Sequence, residues 1–284
     1  MPTLTAVIDD VAMRLVVDTG ANVHVVDETI AFWAHVPAIT PAATSTVMDD
    51  GTTIEIREVP TGLDASATMV ELGFRGPASL RLGIPGLDAP TVLLTRSLSP
   101  LAEVGLAGLF SPQRAVPRGA ALDVDLASGS LRFLAPSEAD EALGAREGWL
   151  ALSPVCATND GVPLFAVHAQ IEGRPIDLVV DTGASATLVV AQSEVARALS
   201  ARATETSSRF ALGGHSEVRI ARDTEVRVGD SRVHVAVDIQ SAEPRECGDA
   251  TIQLEGALGS DVLRHCRLII GRDRAALRCP EGAR

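Results

Sequence analysis

Apolar and polar residues alternate with a period of two over short stretches of this chain, and turn residues bound each stretch. The clearest case runs Phe165-Ala166-Val167-His168-Ala169-Gln170-Ile171, breaks at Glu172-Gly173-Arg174, and resumes with the apolar segment Ile176 to Val180. That pattern predicts a β-hairpin. Leu178-Val179-Val180 is short and β-branched, which predicts a buried strand, and Thr187 to Val190 predicts another. Two further hairpins are expected, Ala121 to Phe133 around Ser128-Gly129 and Arg267 to Cys279 around Gly271-Arg272-Asp273. Helical spacing is confined to short segments: Ser193 to Leu199 with Ser193 as its cap, Asp27 to Trp33, and Ser137 to Leu143. Gly and Pro, 24 and 16 residues, fall mostly between the predicted strands. The expected fold class is all-β with short helices.

The strand pattern is duplicated. Leu15-Val16-Val17-Asp18-Thr19-Gly20-Ala21 returns 163 residues later as Leu178-Val179-Val180-Asp181-Thr182-Gly183-Ala184. At the same offset Ile8 meets Ile171, Met13 meets Ile176, Val26 meets Val189 and Gly51 meets Gly214. The register then slips: Leu80-Arg81-Leu82-Gly83 resembles Val226-Arg227-Val228-Gly229, 146 apart, so the first copy carries 17 extra residues after Gly51. Gly105-Leu106-Ala107-Gly108 resembles Gly256-Ala257-Leu258-Gly259. The chain is therefore read as a first lobe over 1–134, a linker over 135–163 rich in Ala, Glu, Gly and Pro, and a second lobe over 164–284.

Composition narrows the function. The chain has 284 residues, 46% hydrophobic and 21% charged, which is enough for a real core and is not the signature of disorder. No run of eighteen apolar residues occurs, so no helix is expected to span a membrane. No Lys is present; Arg alone balances Asp and Glu, and the net charge is −13. Such a chain repels nucleic acid and anionic lipid, and 3% aromatic residues with no Tyr leave no stacking platform for single strands. All-Arg usage is also the codon signature of a GC-rich bacterial genome. The six His, at 24, 35, 168, 215, 234 and 265, have no metal-ligand spacing, so neither metal nor cofactor is expected. Cys266 lies in an apolar stretch and is read as core, while Cys156, Cys247 and Cys279 allow a bridge if the protein is exported. Trp33 is read as helix core. The compartment is extracytoplasmic if a signal segment has been removed, and cytoplasmic otherwise.

The duplicated turn carries the chemistry. An Asp at the end of a buried apolar strand is costly unless its charge is compensated. The Thr after it supplies a hydroxyl, and the Gly permits a tight turn with backbone N–H groups aimed at the carboxylate. Two such turns, one per lobe, could meet at a pseudo-two-fold axis and share one proton between two carboxyls. One carboxyl would then activate water while the other protonates the carbonyl under attack.

On these residues the chain resembles the aspartic proteases of the pepsin and retropepsin type. The resemblance rests on Val17-Asp18-Thr19-Gly20-Ala21, on Val180-Asp181-Thr182-Gly183-Ala184-Ser185, and on the downstream Leu106-Ala107-Gly108-Leu109 and Ala257-Leu258-Gly259-Ser260-Asp261-Val262-Leu263. It implies a bilobal β fold with the cleft between lobes and an endopeptidase whose catalytic pair is Asp18 and Asp181. Thr19 and Thr182 would tie the two loops together, and Gly20 and Gly183 would let backbone approach the pair. The Gly108 and Gly259 elements would pack beneath the loops. Hairpin flaps would cover the cleft, with Asp50, Gly51 and Thr52 at one tip and Gly213, Gly214 and His215 at the other. The pepsin flap Tyr is absent. Ala follows Asp-Thr-Gly in both lobes, as in retropepsins, which removes a hydroxyl from each carboxylate and places activity at mildly acid pH. The little chain before Leu4 leaves the first interlobe strand to be supplied either by the linker or by a natural N-terminal segment that is missing. A peptide or protein is the expected substrate and a monomer the expected state. The contrasting reading is a protease-like protein that binds peptides without turnover.

Overall fold

The computed structural model describes residues 1–39, 43–47, 53–57, 61–63, 69–71, 73–84, 87, 89–144, 146–157, 161–211, 214–241 and 254–280. Strand dominates, and the helices are short. In the first half, seven strands form one sheet. Its order is Thr3–Ile8, Val11–Val17, Gly108–Phe110, Val25–Asp27, Ala89–Arg96, Gly73–Arg81, Ala38–Ile39. Thr3–Ile8 also pairs with Gly73–Arg81, so the sheet curls back on itself. An eight-stranded sheet in the second half repeats this order. It runs Ser153–Val155, Leu164–Ile171, Arg174–Val180, Gly256–Leu258, Leu188–Val190, Ser231–Gln240, Gly214–Val228, Ala203–Ala211, and curls by the pairing of Leu164–Ile171 with Gly214–Val228.

The curl follows from the pattern. Alternate residues of Thr3–Ile8 and Val11–Val17 point inward, and Ala6, Ile8, Met13, Leu15 and Val17 are buried in the main core. Ile171, Ile176, Leu178 and Val180 do the same in the second half. The long strand Gly214–Val228 bends between Ala221 and Thr224, where its register with Ser231–Gln240 shifts. Asp223 takes a φ of 50° there, and the buried Thr224 hydroxyl donates to the Ala221 carbonyl at 2.9 Å. One strand thereby serves both the sheet and the hairpin with Ala203–Ala211. The hairpin Ala43–Val47 with Thr53–Arg57 stands, at the 163-residue offset, where the second half has Ala203–Ala211 with Gly214–Val228, and the segment after Gly51 that carries the extra residues holds a further small hairpin, Thr61–Leu63 with Met69–Glu71.

A third sheet of five strands joins the halves. Ala121–Asp125 pairs with Arg267–Gly271, and the two hairpins predicted from the sequence lie side by side. The Leu150–Ala151 strand completes the edge from the linker. Leu122, Val124, Leu268, Ile270 and Leu277 turn one face of this sheet into the main core. Asp123 ties the junction on the other face, accepting two hydrogen bonds from the Arg267 guanidinium.

Helices fall where caps predict them. Asp27 caps Glu28–Trp33 by accepting from the Thr29 and Ile30 N–H groups, and Ser193 caps Glu194–Leu199 through Ala196 N–H at 3.0 Å. Pro136–Leu143 covers the junction sheet. Two expectations fail. Trp33 is 72% exposed and Phe32 67%, because the helix has fewer than two turns and turns Ala31 and the half-buried Ile30 toward the core. Cys266 is buried, as expected of core, but it is bonded to Cys279. The hairpin pairs Arg267 with Arg278, which sets the two flanking cysteines opposite one another. Apolar context alone does not reveal a cross-strand partner.

Candidate active site

Each Asp-Thr-Gly turn leaves the end of an inner strand. Val11–Val17 runs parallel to Gly108–Phe110, and Asp18 N–H continues that ladder to the Phe110 carbonyl at 2.9 Å. Arg174–Val180 runs parallel to Gly256–Leu258, and Asp181 N–H reaches the Leu258 carbonyl at 3.0 Å. Both turns are thus pinned by a neighbouring strand inside a sheet, and the sheet cores fix where they point.

The turns meet. Thr19 N–H donates to Thr182 Oγ1 and Thr182 N–H donates to Thr19 Oγ1, each at 3.1 Å. The hydroxyls donate onward across the junction, Thr19 to the Val180 carbonyl at 2.6 Å and Thr182 to the Val17 carbonyl at 2.5 Å. Both Thr are fully buried, so every polar atom of the crossing is satisfied within the protein. The glycines sit against the opposite acid. A Cβ on Gly20 would lie 2.4 Å from Asp181 Cγ, and one on Gly183 would lie 2.5 Å from Asp18 Cγ. No side chain other than hydrogen fits either place without displacing a carboxyl.

The two carboxyls act on each other and are not equivalent. Asp181 Oδ1 accepts from Gly183 N–H at 2.8 Å and from Ala184 N–H at 2.9 Å. Asp18 is buried, and its Oδ1 has no hydrogen-bond partner among the described residues. Burial pushes the Asp18 carboxyl well above the usual carboxylate range, and the neighbouring Asp181 charge pushes it further. The N–H groups of Gly20 and Ala21 draw it partly back. Burial also raises Asp181, but the Asp18 carboxyl and the two backbone N–H groups favour its ionised form. Burial and the neighbouring charge thus disfavour the anion at Asp18, while the backbone N–H bonds favour it at Asp181.

Sequence reasoning missed the layer behind the turns. Gln113 is fully buried in the short helix Pro112–Ala115, and its Nε2 donates to the carbonyls of Thr19 at 3.1 Å and Ala21 at 2.7 Å. In the second half Ser260 Oγ donates to the Thr182 carbonyl at 2.7 Å. His24 Nδ1 accepts from Ser111 N–H at 3.1 Å, and its ring stacks on Phe110. Thr187, 163 residues on, accepts from Gly259 N–H at 3.1 Å and donates to Asp261 at 2.8 Å. Burial, with Arg114 nearby, lowers the His24 pKa to about 3. Asp261 is raised by burial. The repeat offset already paired His24 with Thr187, which was the available signal; nothing in the sequence singled out Gln113.

The structure also corrects one register. The expected match of Gly105–Gly108 with Gly256–Gly259 is off by three residues. Gly108 pairs with Leu15 and Gly256 lies beside Val189, and a Cβ on Gly108 or Gly256 would meet the Val25 or Leu188 carbonyl at 2.1 Å in both cases. Gly108 is thus the counterpart of Gly256, Ser111 of Gly259, Pro112 of Ser260 and Gln113 of Asp261. A Leu-Ala-Gly string misled the alignment because any small residue after two apolar ones satisfies it. The Gly108 element does lie beneath the first turn, as the middle strand between Val11–Val17 and Val25–Asp27.

Among the predicted flap residues, Asp50, Gly51, Thr52 and Gly213 lie outside the described residues. Gly214 pairs with Ala211 at the end of the second-half hairpin. His215 is exposed, with Nδ1 3.2 Å from Ser208 Oγ. Among the described residues no group of three His, Cys, Asp or Glu is placed to hold a metal, and no helix is long and apolar enough to cross a membrane.

Two comparisons with known proteins bear on this site. No curated protein matches the chain. Residues 167–262, which include the second Asp-Thr-Gly turn and the Ser260 and Asp261 layer behind it, match the model of the aspartyl protease family.

Proposed function

We propose that the chain is a single-chain aspartic endopeptidase of bilobal form. Its lobes would be 1–134 and 164–284, joined by 135–163, with Asp18 and Asp181 as its catalytic pair. The observation that carries this reading is the crossing of the two turns, which sets the buried Asp18 and the half-buried Asp181 each against the glycine of the opposite turn; in the proposed resting state the two share one proton. In the proposed reaction the ionised Asp181 takes a proton from water as it attacks the peptide carbonyl. Asp18 gives its proton to the carbonyl oxygen, forming a gem-diol; this collapses when Asp181 protonates the leaving nitrogen and Asp18 takes a proton back from one diol hydroxyl, which becomes the new carbonyl. Every proton moves between carboxyls, water and substrate, so the cycle closes without a cofactor. An extended peptide would pair with the hairpins, including the Gly214 and His215 end of the second-half hairpin. The complete pair in one chain supports action as a monomer.

The raised carboxyls set the pH window. The base must be ionised and the acid protonated, so activity lies between the two macroscopic steps of the pair, above the ordinary carboxylate range. The Cys266–Cys279 bridge fits an oxidising, extracytoplasmic compartment. The test is cleavage of a peptide library by the wild type and by Asp18→Asn and Asp181→Asn. Both variants should lose turnover and keep the fold. Turnover retained in both would overturn the assignment, and inhibitor binding without cleavage by the wild type would select the non-catalytic peptide binder.

A further inference from the structure

We propose that Gln113 and Ser260 are positioning residues that polarise, from behind, the peptide groups of the two Asp-Thr-Gly turns whose N–H groups face the carboxyls, and so favour the ionised form of each acid. This rests on the endopeptidase reading. Ser260 Oγ donates to the Thr182 carbonyl at 2.7 Å. That carbonyl belongs to the same peptide group as Gly183 N–H, which donates to Asp181 Oδ1 at 2.8 Å. A bond accepted at one end of a peptide strengthens the bond donated at the other. The hydroxyl therefore stabilises the Asp181 anion without touching it.

In the first half the same place is occupied by Pro112, which has no donor to offer. The task passes to the next position. Gln113 stands where the second half has Asp261, and Asp261 is engaged with Thr187 instead. The Gln113 amide reaches the Thr19 and Ala21 carbonyls, one on each side of Gly20. Two carbonyl acceptors fix the orientation of that amide, with Nε2 toward the turn, and its Oε1 is left without a partner among the described residues. A buried amide keeps such an arrangement only where the turn needs both bonds. The Thr19 carbonyl shares its peptide with Gly20 N–H, which acts on Asp18. One half therefore uses a hydroxyl on one carbonyl and the other an amide on two.

The charged and titratable groups packed behind the turns are His24 and Arg114 at the first and Asp261 at the second, and each carboxyl faces the other. None of them lies between Ser260 or Gln113 and its carbonyl, so the two relays can be changed one at a time.

The experiment is a carboxyl carbon NMR titration of each acid alone. In an Asp18→Asn background, Ser260→Ala should raise the Asp181 titration midpoint and Ser260→Thr should leave it in place. In an Asp181→Asn background, Gln113→Leu should raise the Asp18 midpoint; Gln113→Met is the shape-conserving alternative should Gln113→Leu misfold. In otherwise wild-type enzyme, Ser260→Ala should lower kcat about five-fold, the worth of one hydrogen bond, with KM little changed. Unmoved midpoints in folded Ser260→Ala and Gln113→Met would overturn the relay. The titrations need no turnover, so they judge the relay even if the wild type cleaves nothing. Loss of the endopeptidase reading would show instead in the library assay.

Discussion

His24 should cost the protein stability in acid, and the size of the effect follows from its surroundings. The ring is buried, accepts the Ser111 N–H through Nδ1 and stacks on Phe110 with ring centres 5.3 Å apart. A proton on Nδ1 would end that hydrogen bond and leave a cation in an apolar site near Arg114. The folded-state pKa is accordingly about 3, against an ordinary 6.5. The unfolded chain takes up the proton first, so the folded state is at full advantage above pH about 6.5 and loses it steadily as pH falls toward about 3. At about 1.4 kcal/mol for each pH unit, the whole loss is about 5 kcal/mol, and roughly 3 kcal/mol of it falls between pH 7 and pH 4. The raised carboxyls of Asp18 and Asp181 act in the opposite sense, since they bind protons more tightly when folded. They are present in any His24 variant and cancel in the difference. His24→Asn places a carbonyl oxygen where Nδ1 accepts and removes the titration. Urea unfolding of both proteins at pH 7, 5.5 and 4 measures the contrast. The variant should be the less stable at neutral pH, where it loses the stacked ring, and its stability should fall by about 3 kcal/mol less on going to pH 4. Parallel acid limbs for the two proteins would refute the reasoning.

Two further outcomes test the frame around the site. Thr182→Val removes a hydroxyl that donates to the Val17 carbonyl and accepts from Thr19 N–H, leaving both buried groups unpaired; a loss of roughly 2–4 kcal/mol is expected in urea unfolding, with weaker activity in whatever remains folded. Cys279→Ser opens the link to Cys266, 13 residues away in sequence; closing a loop of that size is worth about 3 kcal/mol, so the variant should melt lower than the oxidised wild type, and the fully reduced wild type, in which the Cys156 bridge is opened too, should melt no higher than the variant.

Much of the fold was legible because strand periodicity and local turn chemistry are written in neighbouring residues. Leu164–Ile171 with Arg174–Val180, and Ala121–Asp125 with Ser130–Leu134, follow directly from alternation broken by Gly. Ser193 and Asp27 announced their helices for the same reason. Side-chain direction in a helix of fewer than two turns is another matter, since either face can turn inward. That is why Trp33 was read as core and lies exposed.

The sequence alone determined that two like units exist and that each carries an acid at the end of an apolar strand, because a repeat preserves residue identities at a constant offset. Tertiary structure decided everything that depends on atoms from distant segments sharing a few ångströms. It chose Gly108 as the partner of Gly256 through main-chain packing, and it exchanged the duty of Ser260 for that of Gln113 where Pro112 has no donor. It also made two residues of equal chemistry unlike: Asp181 receives two strong backbone N–H bonds while Asp18 keeps an oxygen without a partner among the described residues. Proton affinity is set by the local field and by desolvation, and those exist only once the chain has closed around the carboxyls.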